Sequence, residues 1–434
     1  MHNMINHENV VIDQISNHVL PGLERLPIEI FPHYDGFSLG NIPSSICQWL
    51  GAPTLNTPPL AQSITDYHAS SYKNVILLVV DGLRYPFFKN WLSRQKETNA
   101  TNKPNTLFNE QFFFTPLTSI VPSTTSAALT TLWTGCLPAA HGIIGYELFL
   151  KEYGVIANMV FQSVAAFIND CDSLLHAGFQ TEKFLHLKTM GSHLRQYGVE
   201  SAAFQHANIA QSGLSKMLFK DVRSISFHNP EELFLDLSRL LEAHEHQKKY
   251  IYIYWGDLDG KSHHYGPDSA VVAALWDAFA LQMIQFLHNQ KKDGLKNTLF
   301  LLVADHGQIA TEIVNDFDLE NHPNLVKSLV MLPSGESRLP YLFIRKGQEQ
   351  QVDQYLRDTW GETFILVPAS IILESGLMGN GDICQGTRDR LADWVVFPKN
   401  NAYWWWVKKE NHLLGRHGGL SAQEMIIPFV SFSI

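Results

Sequence analysis

The chain has 434 residues, a formal net charge of −10 and a 45% apolar fraction, enough for a large packed core. The acidic balance excludes a nucleic-acid polymer as the main partner, because such binding rests on clustered Lys and Arg. A small anionic ligand stays open, since bound cations would reverse the local field. The four cysteines, Cys47, Cys136, Cys171 and Cys384, are scattered with no C-x-x-C pair, which speaks against a disulfide scaffold or a zinc finger. The first residues, MHNMINHENVVIDQIS, lack an apolar or basic leader pattern, and no run reaches ~18 consecutive apolar residues. The expectation is a soluble, cytoplasmic protein with no membrane partner.

Residues 1–70 are rich in Pro, Asn and Ser and read as an irregular arm, with Gly36–Leu50 packed on the core through its aromatics and aliphatics. Asn74–Val80 (NVILLVV) is a strand candidate that runs into Asp81. Pro122, Ser123 and Thr124 introduce Thr125 and a helix over Ser126–Thr134, ending at Gly135. Residues 146–199 look like an insertion. Glu200–Phe204 is a weak strand. Asn229 and Pro230 suit an N-cap and first turn, opening a helix to about His246. Tyr250–Trp255 (YIYIYW) is a second strong strand, followed by Asp257, Asp259 and His263. Asp268–Gln290 reads as a long helix, apolar on most faces and therefore buried. Thr298–Ala304 (TLFLLVA) is a third strong strand and runs into Asp305 and His306. Residues 309–400 look like a second insertion, and Gly415–Val430 places His417 in a glycine-rich loop.

Unbroken β-rich runs are the pattern of buried parallel strands. Strands alternating with helices predict one α/β domain over 71–434, with a doubly wound, mostly parallel sheet, helices on both faces and the insertions as a cap. In open sheets of this kind ligands sit beyond the carboxyl ends of the strands. Acidic and imidazole side chains following three strands would therefore converge on one edge, which is the composition of a two-metal site. Asp259 and His263, four apart, share a face if they lie on a helix. Carboxylate plus imidazole is typical of zinc, and manganese accepts the same ligands. Thr125, where a loop meets a helix, is the candidate nucleophile. The helix terminus favours negative charge there, and metal coordination would supply the alkoxide that an unaided threonine cannot.

With these residues in view, the chain resembles the alkaline phosphatase superfamily, and within it the type I phosphodiesterase and nucleotide pyrophosphatase family. The family's D-G-x-R is matched by Asp81, Gly82, Leu83 and Arg84. Its nucleophile, ten residues before the glycine of a T-G pair, falls on Thr125, counted back from Gly135. Its D-x-x-x-H-x-x-G-P is matched by Asp259, His263, Gly266 and Pro267, its D-H-G by Asp305, His306 and Gly307, and its late H-G by His417 and Gly418. The resemblance implies two divalent ions, zinc or manganese. Asp259, His263 and His417 would hold one, and Asp81, Asp305, His306 and Thr125 would surround the other. One departure concerns the substrate: the family's phosphoryl-contacting asparagine after H-G-I is replaced, after His141, Gly142 and Ile143, by Tyr146. The sulfatase signature C-x-P-x-R is absent.

The expected activity is hydrolysis of a small phosphorylated substrate, such as a nucleotide or phosphodiester, through a phospho-threonine. Diester or nucleotide pyrophosphate bonds are favoured. A phosphomonoesterase, a phosphonate hydrolase and a phosphoryl transferase are the alternatives within the superfamily, and a non-catalytic metal-binding protein is the alternative outside it. Structural readings are taken for Asp257 (a turn), His264 (solvent-facing), Arg84 (an ion pair), Tyr403–Trp406 (a buried strand, not a stacking platform) and Arg338 (no contact with an anion).

Overall fold

The computed structural model describes residues 2–26, 28–99, 112–166, 171–243 and 247–434. Its central sheet has seven strands: β1 (Asn74–Val80), β2 (Phe113–Thr118), β3 (Val199–His206), β4 (Arg223–Phe227), β5 (Lys248–Trp255), β6 (Thr298–Val303) and β7 (Ile426–Ser433). The spatial order is β2-β7-β6-β1-β5-β3-β4. Strands β6, β1, β5, β3 and β4 pair in parallel. Strand β7 is antiparallel to both β6 and β2, so the sheet is mostly parallel, as expected.

Every residue of β1 and of β6 is buried. Successive side chains of a strand point to opposite faces, so both faces of the sheet are covered, which is why these strands are apolar without alternation. The parallel register sets Val80 against Trp255 and Val79 against Val303. The carboxyl ends of β1, β5 and β6 are thus level, and whatever follows them meets at one edge.

Two expectations are corrected. The arm is helical at His2–Asn17 and at Ile42–Leu50; the first helix has a weak composition and is held by packing, with Val11 and Ile15 in the core. The long helix runs Ala270–Lys292. It buries Trp276, Phe279, Met283 and Phe286 but leaves Leu281 60% exposed, so it is one-sided, not buried all round. By length and composition alone it could cross a membrane. Its aromatic face is instead packed in the core, where Trp255 and Phe279 stack at 3.8 Å. The helix from Pro230 is capped as expected, Asn229 accepting the Glu232 N–H at 2.8 Å; it is described to Glu242, and residues 244–246 lie outside the described residues.

A second, antiparallel sheet is assembled from two distant stretches. Its order is Phe364–Pro368, Trp394–Pro398, Leu339–Leu342, Ser334–Glu336, Glu147–Leu150, Val155–Asn158 and Ser163–Val164. The two stretches join where Gly335 pairs with Glu147. Residues from both line a cavity of about 690 Å³ that opens onto the carboxyl edge of the central sheet.

Candidate active site

Asp81 follows β1 directly and its N–H donates to Trp255 O at 3.0 Å, which locks it to the end of β5. Asp305 and His306 follow β6, and the N–H groups of Gly82 and His306 both donate to Asp305 Oδ1, at 3.2 and 2.9 Å. Asp259 and His263 lie on the helix Asp257–Tyr265, one turn apart, with His263 Nε2 3.3 Å from Asp259 Oδ2. His417 Nε2 is 3.9 Å from Asp259 Oδ1, and its ring stacks on His306 at 3.9 Å. All six side chains meet at the edge that the register made level. Two groups emerge: Asp81, Asp305 and His306, and Asp259, His306 and His417. His306 belongs to both, and His263 joins the second through Asp259.

Each imidazole is oriented by a backbone carbonyl. Nδ1 of His263, His306 and His417 lies 2.8, 3.0 and 3.1 Å from Gly415 O, Gly307 O and Ser123 O respectively. A carbonyl can only accept, so each Nδ1 carries a proton, and the Nε2 atoms of His306 and His417 present lone pairs to the site; burial opposes a charge on His263, but Asp259 outweighs it and pushes that ring up. Burial pushes His306 down to about 4, and burial together with the neighbouring His306 pushes His417 down to about 3; both rings are neutral at ordinary pH. Burial, then the charges of Asp259 and Asp305, pushes Asp81 up, and burial with Asp259 pushes Asp305 up. Asp259 is buried too, but His263, His417 and His306 outweigh that and hold it below the usual carboxylate range.

Asp81 Oδ1 and Asp305 Oδ2 are buried with no hydrogen-bond donor. They lie 3.4 and 3.5 Å from the lone pair of His306 Nε2. Two unsatisfied carboxylate oxygens facing an imidazole lone pair repel one another unless a proton or a metal cation lies among them. The donor set fits divalent metal ions with mixed oxygen and nitrogen ligands.

Thr125 begins the helix Thr125–Thr134, whose N-cap, Thr124, makes no side-chain cap. Its Oγ1 is 3.2 Å from His306 Nε2 and 3.5 Å from Asp81 Oδ2. It is only half-buried and lines the cavity, together with Asp81, Asp259, His263 and His417. A hydroxyl is thus held at a helix N-terminus, against a candidate metal-ligand set, at the wall of a cavity large enough for a small substrate.

The remaining sequence candidates are placed as follows. Tyr146 lines the cavity and is 38% exposed. Asp257 is exposed in the first turn of its helix, and His264 is exposed. Arg84 donates to Pro267 O at 2.6 Å and to Asp268 at 2.8 Å. Arg338 is spent on Glu424, at 2.6 and 3.1 Å, and Glu424 in turn braces the late glycine-rich loop through Gly419 N at 2.9 Å. Tyr403–Trp406 is a correction. It is not a strand; only Trp405 forms an isolated bridge, with Asp318. Tyr403 and Trp404 are buried, and Trp404, Trp405 and Trp406 line the cavity.

Sequence reasoning missed three groups at the site. The Tyr254 hydroxyl donates to Asp81 Oδ2; it sits one residue from the end of YIYIYW, and its period-2 position was the available signal. Gln308 donates to Asp259 Oδ1 and to its carbonyl oxygen at 3.2 Å. Glu336, from the second sheet, lines the cavity with its carboxyl pushed up to about 8 by burial.

The type I phosphodiesterase / nucleotide pyrophosphatase family model matches residues 75–365. The chain belongs to that family. Membership makes it a hydrolase acting on phosphate esters within the alkaline phosphatase superfamily. No curated protein matches it. Among solved structures, murine ectonucleotide pyrophosphatase/phosphodiesterase 5 is similar with a TM-score of 0.59 at 16% identity, covering 82% of this chain and 87% of that one. An inactive variant of that murine protein was solved in complex with AMP. Phosphonoacetate hydrolase from Sinorhizobium meliloti, solved in complex with phosphonoacetate, gives a TM-score of 0.56 at 15% identity, covering 82% and 89%. At these identities the likeness is one of fold.

Proposed function

We propose that this family member is a metal-dependent phosphodiesterase or nucleotide pyrophosphatase that works through a phospho-threonine on Thr125. The observation that carries the reading is the position of Thr125 Oγ1, 3.2 Å from His306 Nε2 and 3.5 Å from Asp81 Oδ2. Two divalent ions, proposed as zinc, would be held by Asp81, Asp305, His306 and Thr125 and by Asp259, His263 and His417; they would supply alkoxide activation and neutralise the leaving oxygen.

The chain's own residues set up the displacement. The Thr125 hydroxyl faces the cavity, with two acceptors for its proton, His306 Nε2 at 3.2 Å and Asp81 Oδ2 at 3.5 Å. Attack forms the Thr125 Oγ1–P bond as the bond from phosphorus to the leaving oxygen breaks. Water then cleaves the phospho-threonine and regenerates the hydroxyl. The uncapped helix start favours the charge carried by the phosphoryl group. Tyr254 fixes the Asp81 carboxylate, and three backbone carbonyls fix the imidazoles, so little reorganisation accompanies the reaction. Among the described residues, the one arginine of the cavity wall, Arg416, is bonded to Thr311, Leu413 and Asn411 and not to Thr125. A dianionic monoester at Thr125 therefore lacks an arginine bonded beside the attacked phosphorus, which favours the singly charged diester. Phosphonate hydrolysis is the second reading, supported by the shared fold with phosphonoacetate hydrolase.

The test is turnover of bis(p-nitrophenyl) phosphate, p-nitrophenyl phosphate and phosphonoacetate by zinc-loaded protein, with metal analysis of the same sample and mass spectrometry of the acid-quenched reaction. The expected outcome is a diester preference of at least about tenfold in kcat/KM, ~1.4 kcal/mol of discrimination, with a phosphoryl adduct on Thr125. Fully active protein that holds no metal would overturn the reading. A clear monoester preference would overturn the diesterase assignment alone.

A further inference from the structure

Among the described residues four arginines are buried: Arg84, Arg338, Arg390 and Arg416. The first three have carboxylates within reach, Asp268 at 2.8 Å, Glu424 at 2.6 Å and Glu152 at 3.8 Å. Arg416 is 1% exposed and, among the described residues, has no carboxylate partner. Its Nη1 donates to Thr311 Oγ1 and to Leu413 O at 2.9 Å, its Nη2 to Asn411 Oδ1 at 2.6 Å, and its Nε is buried with no acceptor. Its guanidinium lies 3.5 Å from the Tyr403 ring centroid and 5.8 Å from that of Trp405.

A guanidinium cannot shed its proton to escape burial. A buried charge without a counter-charge is costly, and neutral acceptors and aromatic faces offset it only in part. Arg416 nonetheless lines the cavity that holds Thr125, and Lys409 lines it too. It immediately precedes His417, and its charge is felt at His263, so it is close to the ligand set. The aromatic segment that departed from the strand expectation, Tyr403–Trp406, is the wall against which it is held.

We propose that Arg416 is the binding residue for a second anionic group of the substrate, lying beyond the phosphorus that Thr125 attacks. The inference rests on the proposed phosphoryl site and deepens it. Three of the five N–H donors of the guanidinium are used, and the remaining capacity would serve a charge-assisted contact to an oxyanion at the cavity wall. Two chemistries supply such a group: the distal phosphate of a phosphoanhydride, or a carboxylate on the organic substituent.

The experiment is calorimetric titration of the zinc-loaded protein with three probes that it does not cleave. Methylphosphonate carries the phosphoryl group alone, methylenediphosphonate adds a second phosphoryl group, and 3-phosphonopropionate adds a carboxylate. The parent should bind at least one of the latter two about tenfold or more tightly than methylphosphonate, and which one identifies the source. Arg416→Gln should erase that preference while holding methylphosphonate within about threefold. Equal weakening of all three probes, or a preference that survives Arg416→Gln, overturns the proposal. Should Arg416→Gln not fold, Arg416→Lys keeps the charge but loses the fork; it should shrink the preference at least threefold, and an unchanged preference overturns the proposal. Absence of both methylphosphonate binding and ester turnover would defeat the phosphoryl site itself. Methylphosphonate binding without a preference defeats only the role of Arg416.

Discussion

The backbone N–H of Tyr146 donates to Glu336 Oε1 at 2.6 Å, and this bond ties the two distant stretches of the second sheet together at the cavity wall. Burial raises the Glu336 carboxyl from 4.5 to about 8. The folded protein therefore keeps a proton that the unfolded chain releases above about pH 4.5. The stabilisation is complete below that pH and is lost as pH rises through about 8. Glu336→Gln keeps the acceptor and removes the titration. Urea unfolding at pH 5.5 and 8.5 should show the variant gaining on the parent by on the order of 2 kcal/mol across that interval. A constant difference would mean that Glu336 is ionised in the fold.

Tyr146 offers one hydroxyl where the family's asparagine would contact a phosphoryl oxygen, and it also narrows the cavity. Tyr146→Asn should widen the preference for diester over monoester. Competing kcat/KM measurements on the two p-nitrophenyl esters decide it, and a narrowed preference would place Tyr146 outside the substrate's reach.

Thr125→Ala removes the attacking oxygen and spares the six acidic and imidazole side chains. Turnover should fall on the order of 10³-fold or more, with metal content close to the parent's, whereas Thr125→Ser should retain measurable activity. Parent-like rates in the alanine variant would mean that another group attacks.

His417 contributes to the group with Asp259 but not to the group of Asp81, Asp305 and His306. His417→Ala should therefore lose about one of two metal equivalents by elemental analysis, with the fold retained by circular dichroism. Because its ring stacks on His306 at 3.9 Å, the remaining ion should also bind more weakly. Two ions at full occupancy would remove His417 from the ligand set.

The central strands and the residues at their ends were legible because burial on both faces leaves an unbroken apolar run, and a polar residue that ends such a run stands out. Thr125 was legible by its distance from Gly135. The small sheet was not. Its strands are short, and Glu147–Leu150 alternates in burial like any surface hairpin, so nothing local announces that Glu147 will pair with Gly335. Glu336 and Arg416 were illegible for the same reason. A lone charged residue has no pattern, and only the tertiary fold sets one against Tyr146 and the other beneath Tyr403.

Gly307 closes the D-H-G segment, and its role is steric. A Cβ there would stand 2.0 Å from Gln423 O and 3.1 Å from Arg84 Cγ. The neighbour at 2.0 Å is backbone and cannot swing away. That backbone is also fixed, because Gly307 N donates to Glu424 O at 2.8 Å and Gly307 O accepts from His306 Nδ1 at 3.0 Å. Gly307→Ala must therefore push the chain off Gln423, breaking the first bond and turning the His306 ring, whose Nε2 belongs to both candidate metal groups. The expected result is loss of both metal equivalents and of turnover, with a drop in stability of roughly 1–3 kcal/mol from the overpacked contact. Elemental analysis alongside thermal unfolding checks it. Full metal content in a stable Gly307→Ala protein would mean that the loop has slack and that His306 is not held by its own carbonyl neighbour.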